Sequence, residues 1–444
     1  MNLAVISACA LALAVIVSCV SRLNVGVLSI ALAWIVGVYI GGLSVGTVMS
    51  GFPAQLCLTL IGVTLLFALA QTNGTLERIT HRAVRLCRGN CGSIPVMFFV
   101  LGAALSSMGP GNIATAALLA PLAMATAART GIPLFLMAIM VGNGSNSGAL
   151  SPFAPTGIIV NGLMARNGLP GFELQTYLYN LTAHALVAFG GYALFGGLRL
   201  FSGVPAAQIA ARAPTPRGSG SSTVRTGHAV AERRVIPVAT VEEDDEAARA
   251  FERRHWITIA VIAGLILSVI FADVNVGMGA FLGSVILVLS RSGDDGEAFK
   301  RMPWRVIVMV CGVTVLIALV ERAKGIDLLV SLFTKVASAD TVTPLAAFVT
   351  GIVSVYSSTS GVVLPAFLPM VPGLTAQLAG ASPLAVATAM NVGGHLVDVS
   401  PLSTIGALCV AGAGADEARS LFNRLLAWGL SMTVVGAILC YILF

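Results

Sequence analysis

Long, unbroken apolar runs recur along most of this 444-residue chain, beginning with NLAVISACALALAVIVSCV at Asn2. A helix of about 18 or more apolar residues can cross the roughly 30 Å hydrocarbon core of a bilayer. In lipid, every backbone amide must find its partner within the chain, which leaves only helices and closed barrels. Barrel strands alternate lipid-facing and lumen-facing residues. These runs do not alternate, so an all-α polytopic membrane protein is expected. Composition agrees: 57% of the residues are hydrophobic and 10% charged, where soluble domains carry roughly 25% charged residues.

The net charge of +6 does not point to a nucleic-acid partner, because much of the basic charge sits in short loops and one linker, as the positive-inside rule expects. The cysteines, Cys9, Cys19, Cys57, Cys87, Cys91, Cys311, Cys409 and Cys440, lie mostly in apolar spans and read as small hydrophobes. Cys87 and Cys91 are the one close pair, and no histidine or second pair completes a metal site with them. The first span lacks a basic leader and a small-x-small cleavage site before Arg22, so it reads as a mature transmembrane helix.

Spans are expected near 3–20, 25–49 and 53–71, followed by TLERITHRAVRLCRG from Thr75 to Gly89. There Arg78, Arg82 and Arg85 recur at helical spacing and Arg88 follows, which predicts a basic amphipathic helix on the cytoplasmic membrane surface. Residues 93–128 hold two apolar halves split at Gly109–Asn112, the pattern of a re-entrant hairpin. An unwound helix over about 132–165 and a span near 175–203 complete a first unit, residues 1–204. Residues 205–254 are polar, rich in Pro, Gly and Ser, and include the acidic run Glu242–Glu246. They read as a hydrophilic cytoplasmic linker.

The second unit, 255–444, has spans near 256–272, 276–290 and 304–321, then a short amphipathic arm. A hairpin follows over 342–380, split at Ser357–Gly361, then an unwound helix over 382–412 and a last span near 417–443. Ser151-Pro152 stands against Ser400-Pro401 at an offset of 249, and the two hairpin breaks share that offset. With the first arm in the cytoplasm, the first unit starts outside and the second starts inside, and both termini are periplasmic. Two similar units of opposite orientation are inverted-topology repeats, an architecture common among secondary transporters.

MVGNGSNSGALSPFAPTGIIVNG, Met140 to Gly162, is a poor transmembrane helix, as is its counterpart NVGGHLVDVSPLSTIG, Asn391 to Gly406. Irregular backbone at membrane depth is tolerated where protein or a water-filled cavity surrounds it. Half-helix ends then offer N–H groups to anions and carbonyls to cations. Substrate-binding candidates are Asn112, Asn143, Ser145, Asn146, Ser151, Thr156, Ser357, Ser358, Thr359, Ser400, Ser403 and Thr404. Asp398, His395, Asn391, Gly144 and Gly109 are candidates for cation coupling. Ionisable groups at membrane depth mark functional cavities. His184 reads as structural.

SMGPGNIATAALLAP, Ser107 to Pro121, resembles the hairpin motif of the divalent-anion/sodium symporters, in which Ser-Asn-Thr is followed by Ala-Thr-Ala. MVGNGSNSGALSPFAPTG resembles their following unwound helix and YSSTSGVVLPAF their second hairpin. The closest likeness is to the MatC-type malonate/dicarboxylate carriers of the wider ion-transporter superfamily. That resemblance implies a homodimer of ten- or eleven-span protomers, each with an elevator-like transport domain, two re-entrant hairpins and a carboxylate site. It places Asn112 at the family's first Asn, and Ser357, Ser358 and Thr359 at the second Ser-Asn-Thr. Gly111 and Ile113 replace the first Ser and Thr, and Ser358 the second Asn.

The function expected is secondary active transport of a small dicarboxylate anion across an inner membrane. A sodium ion bound at the hairpin tips, or a proton, would be the coupling ion in symport, and no other cofactor is expected. No Lys or Arg lies in either unwound motif or either tip, so hydroxyls, amides and helix dipoles would hold the dianion. The competing readings are the membrane subunit of a binding-protein-dependent dicarboxylate system, a channel, and an intramembrane serine protease built on GNGSNSG. The chain has no HExxH motif or paired intramembrane aspartates, and a channel would favour a continuous pore lined by rings of one chemistry.

Overall fold

A computed structural model describes residues 2–21, 23–86, 91–200 and 251–444. Cys87, Arg88 and the linker up to residue 250, with its acidic run, lie outside the described residues. The described chain is helical throughout, and eight of its helical stretches are long and apolar enough to cross a membrane.

The elements of the two halves follow one another in the same order, most of them at offsets close to the 249 noted above. Leu3–Val20 corresponds to Arg253–Ala272, and Val25–Trp34 with its π-helical continuation Ile35–Ile40 corresponds to Val276–Leu289. Ala54–Thr72 corresponds to Trp304–Arg322, and the arm Thr75–Leu86 to the arm Gly325–Phe333. The hairpin Ser93–Met108 and Gly111–Thr130 corresponds to Val342–Tyr356 and the helical run Thr359–Gln377. Leu134–Ser147 and Pro155–Arg166 correspond to Pro383–Leu396 and Thr404–Ala411. Glu173–Leu194 and Ala415–Leu443 close the two halves.

Three expectations need correction. The span expected over 25–49 ends at Ile40, and Val45–Met49 is a separate short helix capped by Ser44. The first hairpin does not have two short halves: Gly111–Thr130 has 20 residues and is long enough to cross. The arm Thr75–Leu86, expected on the membrane surface, also turns two of its arginines onto the chain itself. Arg78 is buried and meets Glu252 at 3.1 Å, and Arg82 stacks 4.3 Å above the Phe251 ring. The basic side of the arm therefore clamps the start of the second half.

The breaks in the two discontinuous helices are shorter than their sequences suggest. The first stays helical to Ser147 and the second to Leu396, with one 3-10 turn at Val397–Val399. Packing explains this. Gly144 lies so close to the neighbouring hairpin helix that a Cβ would sit 2.5 Å from the Phe99 carbonyl. Gly393 meets the Ala347 carbonyl in the same way, at 2.2 Å. Small residues let membrane helices approach backbone to backbone, and a helix held along its length by a partner keeps its own hydrogen bonds.

Candidate functional site

A cavity of about 560 Å³ opens where the second hairpin turn, the second helix break and the first turns of two other helices meet. Its described lining includes Asn112, the run Ser357–Ser360, Asp398, and Leu402–Ile405 on one side. Ser18, Ser21, Leu23–Val25, Arg305, Val306 and Met309 form the other.

Local structure sets each side chain. Ser358 caps the helical run that follows the hairpin turn, accepting from Gly361 N at 3.2 Å. That leaves Thr359 on the first turn, where its hydroxyl donates to Asp398 Oδ1 at 2.7 Å. The same hydroxyl lies against the Ser354 hydroxyl and near the Gly394 carbonyl. Ser403 caps Thr404–Ala411 and its hydroxyl donates to the Ser400 and Asp398 carbonyls. The Ser357 hydroxyl shares a 3.0 Å hydrogen bond with Ser18, joining the hairpin turn to the end of the first helix. Asn24 frames the opposite wall: its Oδ1 accepts from Gly26 N at 2.9 Å and its Nδ2 donates to the Arg305 carbonyl at 3.0 Å.

Of the expected site residues, the cavity gathers Asn112, Ser357, Ser358, Thr359, Asp398, Ser403 and Thr404. Asn143, Ser145, Asn146, Ser151, Thr156, Asn391, His395 and Ser400 are buried and do not line it. Ser151 donates to the Ser107 carbonyl at 2.7 Å, fastening the first break to the first hairpin. Asn146 Oδ1 accepts from Asn112 Nδ2 at 2.8 Å. Gly144 serves packing, as above. Gly109 turns the first hairpin at φ +137, with the Phe67 ring where a Cβ would be.

His395 sits behind the cavity. Its Nδ1 donates to the Asn391 carbonyl at 2.8 Å. His184, on Glu173–Leu194, pairs Nδ1 with Asn143 Oδ1 at 2.9 Å, while Asn143 Nδ2 donates to the Ile139 carbonyl. Because that oxygen only accepts, His184 carries its proton on Nδ1. Both rings are fixed by neighbouring groups, and neither faces the cavity.

The sequence reading passed over Arg305, Asn24, Ser18 and Ser21. A signal for Arg305 was present, because a cation in the first turn of a helix opposes the helix dipole. Among the described lining residues, Arg305 and Asp398 are the only charged ones.

The oxygens of Ser354, Thr359, Asp398 and Gly394 converge beside the cavity. Such a donor set suits a hard monovalent cation or a proton. It does not suit a transition metal, and among the described residues no group of three His, Cys, Asp or Glu side chains could hold one.

Residues 1–149 match the sequence family of the dicarboxylate carrier protein MatC N-terminus. The likeness to MatC-type carriers seen in the hairpin and broken-helix motifs thus extends through the first hairpin into the first break. No curated protein matches the chain. Among solved structures, the chain is similar to the YdaH transporter of Alcanivorax borkumensis, whose crystal structure is described as having an unusual topology. The two share 16% identity at a TM-score of 0.57, over 89% of this chain and 87% of that one. At that identity the likeness speaks for the fold alone.

Proposed function

We propose that the chain is a secondary active carrier of small dicarboxylates, of the malonate or C4 type, driven by one monovalent cation or proton. The observation that carries this reading is the cavity beside Asp398, where hydroxyls of the second hairpin turn meet a broken helix end. Hydroxyls and N–H groups suit carboxylate oxygens. The converging oxygens around Thr359 suit the cation, and the two ligands would share Asp398 as neighbour.

The coupling is electrostatic. An ionised Asp398 beside a dianion is costly in a low-dielectric site. A cation or proton arriving with the substrate lowers that cost, and the shared benefit is a coupling free energy between two ligands. The shared register of the two halves supports inverted repeats, and alternating access would then be a movement of hairpins and broken helices against the remaining helices.

The loop Arg291–Arg305, with Lys300 and Arg301, and the arginines of the first arm support a cytoplasmic location for that side. Both termini are then periplasmic, and the cavity, framed by Asn24 and Arg305, opens inward. The opposite face is closed by Arg166 near Glu321 at 3.8 Å and by Asn167 donating to the Leu368 carbonyl at 3.0 Å. A homodimer in the inner membrane completes the proposal, on the strength of the family likeness.

The test is a counterflow screen of di- and tricarboxylates with purified protein in liposomes, with and without sodium and a pH gradient. Dicarboxylate counterflow by the chain alone supports the carrier reading. Activity only with a soluble binding protein would favour the membrane-subunit alternative.

A further inference from the structure

We propose that the coupling ion is a proton carried on Asp398, and that Ser354 and Thr359 form the hydroxyl relay that receives it. This rests on the carrier reading above and deepens it by naming the ion and a positioning residue, Ser354.

The directions of the hydrogen bonds carry the argument. A hydroxyl has one proton to give and two lone pairs with which to accept. Thr359 gives its proton to Asp398 Oδ1 at 2.7 Å. Its contact with the Ser354 hydroxyl must then run the other way, with Ser354 donating to the Thr359 oxygen. Ser354 is buried in the last turn of Val342–Tyr356 and does not line the cavity. The chain of donors therefore points from Ser354, through Thr359, to an ionised Asp398.

The same atoms accept a proton without losing a hydrogen bond. A protonated Asp398 donates back to Thr359 Oγ1, and the Thr359 proton has to turn elsewhere. The Gly394 carbonyl stands 3.4 Å from that oxygen. It belongs to the last turn of Pro383–Leu396, where carbonyls run out of helical partners. Rotation of one hydroxyl then completes the protonated state: Thr359 accepts from Asp398 and Ser354 and donates to Gly394.

Sodium fits this arrangement less well. A hard cation holds its oxygens at roughly 2.3–2.6 Å, which keeps neighbouring ligands of one ion further apart than hydrogen-bond partners. Thr359 Oγ1 is in hydrogen-bond contact with both Ser354 and Asp398. An ion seated among these oxygens would break both contacts, whereas a proton keeps them.

Asp398 lines the cavity, so it takes its proton from water on the open side and returns it to water on the other side after access changes. The neutral carboxyl no longer repels the dianion, and each ligand favours the other. The elements packed against the Asp398 turn are Pro383–Leu396, Thr404–Ala411, Ala415–Leu443, Leu134–Ser147 and Val342–Tyr356. Tyr356 lines the cavity with Asp398, and Arg305 lines the opposite wall. His395, Cys409 and the ionisable groups of Ala415–Leu443 do not line it, and Leu134–Ser147 and the hairpin run Thr359–Gln377 have none. Among the described lining residues Asp398 is the one carboxylate.

The experiment uses the purified chain in liposomes holding a pH-sensitive dye, with labelled malonate and succinate and the membrane potential clamped at zero. In sodium-free buffer, an inward proton gradient should drive uptake, and adding substrate should acidify the lumen. A sodium gradient at equal pH should drive none. Ser354→Ala should lower gradient-driven uptake by about tenfold, the loss of one buried hydrogen bond, and lower gradient-free exchange much less. Ser354→Thr, which keeps the hydroxyl, should restore the ratio of the two. Uptake driven by sodium at equal pH, without proton movement, would overturn the proposal while leaving the carrier reading intact. Equal loss of uptake and exchange in Ser354→Ala would overturn the relay and make Ser354 structural. A wild-type protein that exchanges neither dianion fails the carrier reading itself.

Discussion

The two hairpins and the two broken helices share a register, yet their crossing points are built from different chemistry. In the second half, Ser354, Thr359 and Asp398 bring hydroxyl and carboxylate oxygens together. In the first half Ala149 stands at the offset of Asp398, and the hairpin turn has Gly111 and Ile113 where the second has Ser357 and Thr359. There the gap is closed by an amide, Asn112 Nδ2 donating to Asn146 Oδ1, and by Ser151 donating to the Ser107 carbonyl. One half keeps a charge that asks for a cation, while the other has no ionisable group at its break, although Thr115 Oγ1, Ser145 Oγ and Asn146 Nδ2 there are buried without a hydrogen-bond partner. A repeated backbone can thus carry unequal sites, and on this account the carrier couples to one cation rather than two.

The largest effect is expected where the halves are alike. Gly144→Val and Gly393→Val would each drive a side chain into a carbonyl of the adjacent hairpin helix. Both should cost more than about 3 kcal/mol and prevent folding, seen as loss of monodisperse protein in detergent. If only one of the two fails, the halves are not packed equivalently.

Next come substitutions where the halves differ. Thr359→Val removes the donor to Asp398 and should weaken apparent cation affinity about tenfold, read from sodium or proton titration of uptake. Asn112→Ala leaves Asn146 Oδ1 without its donor and should lower stability by about 1–3 kcal/mol, read from thermal unfolding. Because Asn112 also lines the cavity, substrate KM should rise, while cation dependence stays as in wild type. Equal loss of cation dependence in the two variants would erase the distinction between the half-sites.

The smallest effect separates two serines at equivalent positions. Ser151 bridges to the hairpin, whereas the Ser400 hydroxyl accepts only a 3.4 Å contact from Leu402 N. Ser151→Ala should cost about 1 kcal/mol and Ser400→Ala less. The reverse order would mean that the first break is not fastened as described.

The element order and the two hairpin turns were legible because apolar runs and Gly-Pro punctuation mark them directly. The extent of the breaks was not. Asn143 and Asn391 look like unwound segments by composition, but a neighbouring helix holds their backbone helical through glycine contacts the sequence does not display. Thr359 and Asp398, which line the cavity, were legible as candidates, since polar groups in apolar runs are few. Arg305 was hidden by its loop position, because its distance in sequence from the hairpin turn gives no sign that the two share a cavity. His395 looked like a site residue by its neighbours, but its side of the helix faces the interior.

Asp398→Asn tests the central claim most directly. Asparagine keeps the shape and removes the charge that the coupling ion answers. Purified wild type and variant are reconstituted side by side, and dicarboxylate uptake under an imposed sodium or proton gradient is compared with exchange in the absence of any gradient. The account predicts that Asp398→Asn loses gradient-driven uptake by about tenfold or more and keeps a measurable part of its exchange. Gradient-driven uptake equal to wild type would contradict it and leave Asp398 as a structural partner of Thr359.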